Sequence, residues 1–238
     1  MNCTTCQTEV TTPYCPTCGQ APILKRIDSH YLIHEIGHVL HFEKGIFYTI
    51  KELLIKPGNT VRKFIVEDRS RLVKPVIFVI IASLIYSIIA HYFHMDSFVA
   101  YANAEEGISD KVFQWGDSHS GYMNVIIGVF IAMWAKLFFK KYGFNLFEIL
   151  ILLCFVSGMS MIIFAVFAIA EGITAISLMP AAGVVGIIYC TWAIAQFFDG
   201  LKAINYVKAF FAYVLGMLTF VFSVIVIGGL IDWLLKLV

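Results

Sequence analysis

The sequence predicts an all-α polytopic membrane protein, with five transmembrane helices preceded by a minimal zinc knuckle and by amphipathic interfacial helices. Hydrophobic residues make up 60% of the chain and charged residues 14%, with a mean hydropathy of +0.83. Soluble domains carry about 45–50% apolar and about 25% charged residues. The apolar residues gather in five long runs after residue 74, whereas two Cys-x-x-Cys pairs lie within the first eighteen residues.

Five apolar runs are long enough to cross a bilayer. They cover residues 75–94, 122–139, 146–170, 181–198 and 207–231, and a membrane-spanning helix needs about 20 residues. Small residues four apart occur in the last two runs, as Ala182 with Gly186 and Ala212 with Gly216. Such pairs let helices approach closely, and packing within the monomer is the expected use.

Positive charge alternates between the connections and predicts the orientation. Ten of the 17 Lys and Arg residues precede the first run, and five more lie at or beside the second and fourth connections. Only Lys111 and Lys236 fall on the other side. Because cytoplasmic loops carry the excess of Lys and Arg, we expect a cytoplasmic N-terminus and an external C-terminus. The first twenty residues contain no signal-peptide core, so the first span is expected to direct insertion.

Four cysteines predict a structural zinc site in the segment 1–22, a zinc-ribbon-like head. Cys3 and Cys6 form one Cys-x-x-Cys pair, and Cys15 and Cys18 form the other within Cys-Pro-Thr-Cys-Gly. Four thiolates suit tetrahedral Zn²⁺. A disulfide pair is the alternative, but it fits a reducing cytoplasm poorly. A redox Cys-x-x-Cys would need a βαβ context that twenty residues cannot provide.

The segment 23–74 precedes the transmembrane domain, 75–238, and is expected to lie at the membrane surface. Residues 45–55 place Ile46, Phe47, Ile50, Leu53 and Leu54 on one predicted apolar side. Asn59 is predicted to cap a short basic helix that follows Pro57-Gly58. Five cations of this segment are expected to contact anionic lipid headgroups: Arg62, Lys63, Arg69, Arg71 and Lys74. Nucleic acid is not an expected partner, because the same charges set topology and meet lipid.

A histidine stripe offers a second candidate for metal chemistry. His30, His34, His38 and His41 lie along one predicted helical face. The stretch from His34 to His38 matches His-Glu-x-x-His, the zincin pattern in which Glu35 would activate water. A protease also needs a third ligand, for which Glu148 and Asp199 are the candidates. The alternatives are a histidine-rich interfacial face without catalysis and a second, non-proteolytic metal site.

The first ninety residues resemble the bacterial membrane proteins of domain-of-unknown-function family 3667. The resemblance rests on the Cys-Pro-Thr-Cys-Gly knuckle, the His-Tyr-Leu-x-His-x-Ile-x-His stretch from residue 30, the Phe-Glu-Lys-Gly-Ile-x-Tyr-Thr-x-Lys-Glu-Leu stretch from residue 42, and Lys-Pro-Gly at 56–58. It also includes Arg62-x-Phe-Ile and the basic stretch 69–75. The resemblance implies a zinc-ribbon-like head, an amphipathic juxtamembrane region and a multi-span domain, with no assigned activity.

The function that follows is a non-enzymatic scaffold or adaptor in the bacterial inner membrane. Its zinc-bound head would dock a cytoplasmic protein partner or a lipid surface. A lipid-handling or transport protein is the second class, although ionisable residues deep in the spans, the usual mark of ion-coupled transport, are sparse. The third class is the membrane zinc metalloprotease based on His34, Glu35 and His38.

Overall fold

The computed structural model describes residues 45–67, 71–93 and 107–236, together with the isolated residues 9, 11, 16 and 17. The chain divides into two compact units, Met1–Glu43 and Lys44–Val238. Within the second unit the described residues form eight α-helices and one short 3₁₀ helix. The four cysteines and four histidines singled out above, Glu35 and Arg69 lie outside the described residues.

Two short helices come first. Helix α1 is Ile46–Ile55 and α2 is Pro57–Val66, separated only by Lys56. Proline is favourable in the first turn of a helix, where its missing N–H has no partner to lose, and unfavourable further along. Pro57 therefore ends α1 and begins α2. Asn59 was predicted as the N-cap of this helix, and that prediction is wrong, because the helix begins two residues earlier.

The five predicted spans are confirmed as long apolar helices. They are α3 (Pro75–Tyr92), α5 (Ser120–Phe138), α6 (Leu146–Thr174), α7 (Met179–Asp199) and α8 (Ala203–Lys236). Each contains a stretch long and apolar enough to cross a membrane, and the described residues contain five such helices. The chain is therefore an all-α, multi-pass membrane protein. The two ends of α8 extend beyond the predicted run because Asn205 and Asp232 continue the helix despite their polarity.

Helix α6 is the centre of the bundle. It packs against α3, α5 and α7, whereas α8 packs against α5 and α7. The difference shows in burial: 56% of the most apolar stretch of α6 is buried, against 17% for α8. Leu152, Phe155 and Met159 of α6 are almost completely buried. Most of α8 consequently presents apolar side chains to the surroundings, as a lipid-facing helix does.

The small-residue pairs pack inside the monomer, as predicted. A Cβ atom added to Gly216 would lie 2.6 Å from the Cα atom of Ile131 on α5. At Gly186 the neighbour is the ring of Phe164, 3.2 Å from the added atom. Ala182 and Ala212 are fully buried. These positions let α7 and α8 approach their neighbours more closely than larger side chains would allow.

Carboxylates near the span ends cap helices. Glu148 and Asn145 form a capping box at the start of α6, in which Glu148 N donates to Asn145 Oδ1 at 2.9 Å and Asn145 N donates to Glu148 Oε2 at 2.7 Å. Glu171 Oε2 accepts from the N–H groups of Leu178 and Met179 at 2.6 and 2.8 Å, at the start of α7. Such caps satisfy N–H groups that the helix itself leaves unpaired.

A further helix, α4 (Ile108–Ser118), lies in the connection between α3 and α5. Its backbone is capped by two carboxylates. Gly107 N donates to Asp110 Oδ2 at 3.3 Å, and Ile108 N donates to Asp232 Oδ2 of α8 at 3.1 Å. Three apolar residues spaced about one turn apart form its packed side: Ile108, Val112 and Trp115. A helix of eleven residues with so short an apolar pattern is hard to distinguish from a polar loop by sequence.

Candidate functional site

The hairpin formed by α1 and α2 is the candidate site, because it packs on the bundle yet presents an apolar and basic surface. Helix α2 contacts α7 and α6, and α1 contacts α2 and α6. Leu53 and Val61 are fully buried in these contacts. The hairpin lies at the end of the bundle where α7 ends and α8 begins.

Gly58 sets how closely α2 approaches α7. A Cβ atom added at this position would collide with the backbone N of Phe197 and lie 2.5 Å from the carbonyl oxygen of Ala193. Because both neighbours are helix backbone, no side-chain rotation could relieve the collision. Pro57 is also buried. The Pro-Gly pair therefore ends one helix and permits the close contact of the next with α7.

Gln196 caps α2 from the neighbouring helix. Gly58 N donates to Gln196 Oε1 at 2.9 Å, and Asn59 N donates to the same oxygen at 3.4 Å. These N–H groups belong to the first turn of α2, which has no internal partners for them. A side chain from α7 thus supplies the cap that the prediction assigned to Asn59.

Three further hydrogen bonds hold the hairpin in place. Tyr189 of α7 donates its hydroxyl to the carbonyl oxygen of Leu53 at 3.0 Å. Arg62 Nη1 donates to the carbonyl oxygen of Phe198 at 3.2 Å. Val73 N donates to Thr49 Oγ1 at 3.2 Å. This bond joins α1 to the segment just before α3. The hairpin is consequently attached through both of its helices.

Aromatic rings fill the space beneath the hairpin. Phe64 of α2 meets Phe155 of α6 edge to face, with ring centroids 5.3 Å apart. Phe139 and Phe198 stack with centroids 3.9 Å apart and planes at 2°. The guanidinium carbon of Arg62 lies 5.9 Å from the centre of the Phe144 ring. Aromatic contacts of this kind add about 0.5–1.5 kcal/mol beyond the burial of their area, so they strengthen the packing beneath the hairpin.

The outward side of α1 forms what we name the outer face: Phe47, Tyr48, Lys51, Leu54 and Ile55. Phe47 is 81% exposed and Ile55 54% exposed. The predicted apolar side of this helix is therefore corrected. Ile46 and Leu53 are buried against the bundle, but Phe47 and Leu54 point away from it, because α1 is apolar around most of its circumference and one side is taken by the bundle.

Four of the five cations predicted to contact headgroups are described, and all four are exposed: Arg62, Lys63, Arg71 and Lys74. Arg62 and Lys63 belong to α2, whereas Arg71 and Lys74 immediately precede α3. Arg62 has the double role described above, with one nitrogen bound to the end of α7. The sequence did not predict the three residues that hold the hairpin on α7: Gly58, Tyr189 and Gln196. The Pro57-Gly58 pair indicated a break in the helix, but not the close contact with α7.

The two carboxylates considered as third ligands of a zincin site have structural partners. Glu148 belongs to the capping box of α6, and Asp199 Oδ2 accepts a hydrogen bond from Lys202 Nζ at 2.5 Å. This bond raises the pKa of Lys202. Within the described part of the chain, no group of three metal-ligating side chains occurs. The zinc and histidine sites stay predictions.

Residues 43–87 match the model of a family described as "Protein of unknown function (DUF3667)". The match confirms the resemblance over these residues, which include α1, α2 and most of α3. No curated protein and no solved structure matches the chain.

Proposed function

We propose that this protein is a non-enzymatic adaptor of the bacterial inner membrane. Five spans anchor it, and the hairpin fixes the chain at the boundary between lipid and cytoplasm. The N-terminal segment binds structural Zn²⁺ and docks a protein partner there. The observation that carries this proposal is the hairpin itself, which is packed firmly against α7 while its outer face stays apolar and basic.

The outer face suits the zone where headgroups meet acyl chains. Burying a Phe, Leu or Ile side chain is worth about 1.5–3 kcal/mol relative to exposure to water. Phe47, Leu54 and Ile55 are at least half exposed on one side of a helix, beside Lys51. Apolar side chains interleaved with lysine are typical of helices that lie in the plane of the interface.

The neighbouring cations add an electrostatic attraction. Lys or Arg near an anionic leaflet contributes about 1 kcal/mol per residue. Lys63, Arg71 and Lys74 are exposed and belong with Arg69 to this proposed headgroup surface. Arg62 orients the surface, because its bond to the Phe198 carbonyl ties α2 to the bundle. The cytoplasmic placement rests on the uneven distribution of cations among the connections.

The thiolate site would give the adaptor its recognition element. Four Cys ligands can hold together a segment too small to have a hydrophobic core, and here they are Cys3, Cys6, Cys15 and Cys18. The unit that contains them ends at Glu43, three residues before the first residue of α1. A partner bound to this unit would therefore be tethered to a helix pair with a fixed place on the bundle.

Photocrosslinking tests the lipid contact. A benzoylphenylalanine probe replaces Phe47 in protein reconstituted in vesicles of phosphatidylethanolamine and phosphatidylglycerol, and irradiation is followed by mass spectrometry. We expect phospholipid adducts at this position. The control probe replaces Glu67, an exposed residue just after α2, and should give few. Adducts absent at position 47, or equal at both positions, would contradict the lipid contact.

Affinity purification in mild detergent tests the docking role. We expect the wild-type protein to carry about one equivalent of zinc and a defined set of cytoplasmic partners. A variant with Ser at positions 3, 6, 15 and 18 should lose both while keeping the thermal stability of the bundle. Recovery of the same partners with both proteins would show that the thiolate segment is not the docking element.

A further inference from the structure

A second surface lies at the opposite end of the bundle, between α5 and α8. The two helices approach closely at Gly216 and Ile131. Further along, the rings of Phe130 and Phe220 meet with centroids 5.6 Å apart. Beyond them residues of both helices line a groove of about 300 Å³. Its walls are apolar side chains, among them Met123 and Ile126 on α5 and Val224, Ile227 and Ile231 on α8.

Helix α4 forms the third wall of this groove. Ile108, Val112 and Trp115, one turn apart, line it. The helix is held in place by the bond from Ile108 N to Asp232 and by a close contact of Ser109 with Gly228. The groove is thus enclosed by three helices and open on the remaining side, where its lining residue Ile126 is 41% exposed.

The mouth of the groove carries the marks of a membrane interface. Trp115 and His119 stack with ring centroids 4.8 Å apart, and Tyr122 lies beside them. Trp and Tyr favour the headgroup level of a bilayer. Lys111 of α4 is exposed and adjoins Val112, which lines the groove. The carboxylates of Asp110 and Asp232 accept hydrogen bonds from backbone N–H groups at the start of α4. Lys111 is the cation of this helix.

We propose that the groove binds one acyl chain of a glycerophospholipid whose phosphate lies beside Lys111. The stretch of α8 from Phe220 to Ile231 is about 17 Å long at 1.5 Å per residue. A volume of about 300 Å³ spread over that length suits one extended hydrocarbon chain. A helix is about 10 Å across and fills such a long, narrow recess less well, and an apolar recess of this kind excludes water.

Filling the groove tests the proposal. Val224→Phe adds a ring inside it, whereas Val221→Phe adds the same ring one turn earlier on α8, where the side chain is 36% exposed and outside the lining. Purified proteins are depleted of lipid, incubated with phosphatidylglycerol or phosphatidylethanolamine and analysed by native mass spectrometry. We expect one retained phospholipid for the wild type and for Val221→Phe, and at least tenfold lower occupancy for Val224→Phe.

Two further variants make the result decisive. Ile126→Phe blocks the facing wall and should also abolish retention, which covers the case in which Val224→Phe does not fold. Lys111→Gln keeps the groove and should lower retention about fivefold, the loss expected for one cation near a phosphate. Equal lipid retention by the wild type and both groove-filling variants would overturn the proposal. So would a wild-type dimer that either groove-filling variant dissociates, since the occupant would then be a second copy.

Discussion

Gln196 accepts hydrogen bonds from the first turn of a helix that lies 138 residues earlier in the chain. Gly58 is buried, so its N–H has no water to replace that acceptor. Leaving a buried donor unpaired costs about 1–3 kcal/mol. We therefore expect Gln196→Met, which keeps the length of the side chain without its acceptor, to lower the stability of the protein by this amount in thermal unfolding in detergent.

Gln196→Glu is the matched control for this prediction. The carboxylate keeps an acceptor at the same place, and a negative charge at a helix N-terminus is favourable by about 0.3–1 kcal/mol. Its melting temperature should equal or exceed that of the wild type. If both variants lose the same stability, the contribution of Gln196 is packing alone, and its role as a cap is wrong.

The role of a residue such as Gln196 could not be predicted from the sequence, because its partner lies far away in the chain. A glutamine within a predicted span shows its polarity but not the partner across the bundle. The Asn59 prediction failed for the same reason, since a local cap signal was outweighed by a tertiary one. The capping box of Asn145 and Glu148 is local, by contrast, and its Asn-x-x-Glu spacing could have been read from the sequence.

At the scale of elements, the spans were predicted well because their signal is strong. A run of about 20 apolar residues has few alternatives, and the start of α3 at Pro75 and of α6 at Leu146 agrees with the predicted runs. Helix α4 and the choice of which side of α1 is buried were not predicted. Both depend on which side of a short helix the bundle covers, and periodicity within ten residues does not determine that.

The hairpin as an element depends on Gly58, and Gly58→Ala tests this dependence. Alanine is the better helix former, so propensity alone would favour the variant. Because the added Cβ atom meets the backbone of α7, we expect a loss of about 1–3 kcal/mol, as is typical of overpacking. Trypsin should then cleave faster at Lys51 and Lys63, both exposed on the hairpin.

Gly229→Ala is the control for the effect of adding a methyl group to a helix of this protein. A Cβ atom at Gly229 has no neighbour within 4 Å, so this variant should keep or slightly raise the stability. Unchanged trypsin cleavage in Gly58→Ala, with unfolding like that of Gly229→Ala, would mean that α2 does not need its close contact with α7.

At the scale of the whole molecule, the two ends of the bundle differ in charge and in construction. Among the described residues, the end that carries the hairpin holds eleven Lys and Arg residues on or near its connections. The other end holds α4, capped by Asp110 and Asp232, and the apolar groove. We thus propose a separate surface for lipid at each end, one basic and broad and one narrow and apolar, joined by the buried core of α6.

Thiol labelling tests which end faces the cytoplasm. Because Lys and Arg accumulate on the cytoplasmic side, a membrane-impermeant maleimide should leave Cys3 and Cys18 unlabelled in intact, metal-stripped spheroplasts. After permeabilisation the same cysteines should react. Leu235→Cys introduces a thiol near the end of α8, where the native side chain is 65% exposed, and this thiol should react from outside without permeabilisation. Labelling of Cys3 or Cys18 in intact spheroplasts would reverse the orientation, and the proposed cytoplasmic docking would fail with it.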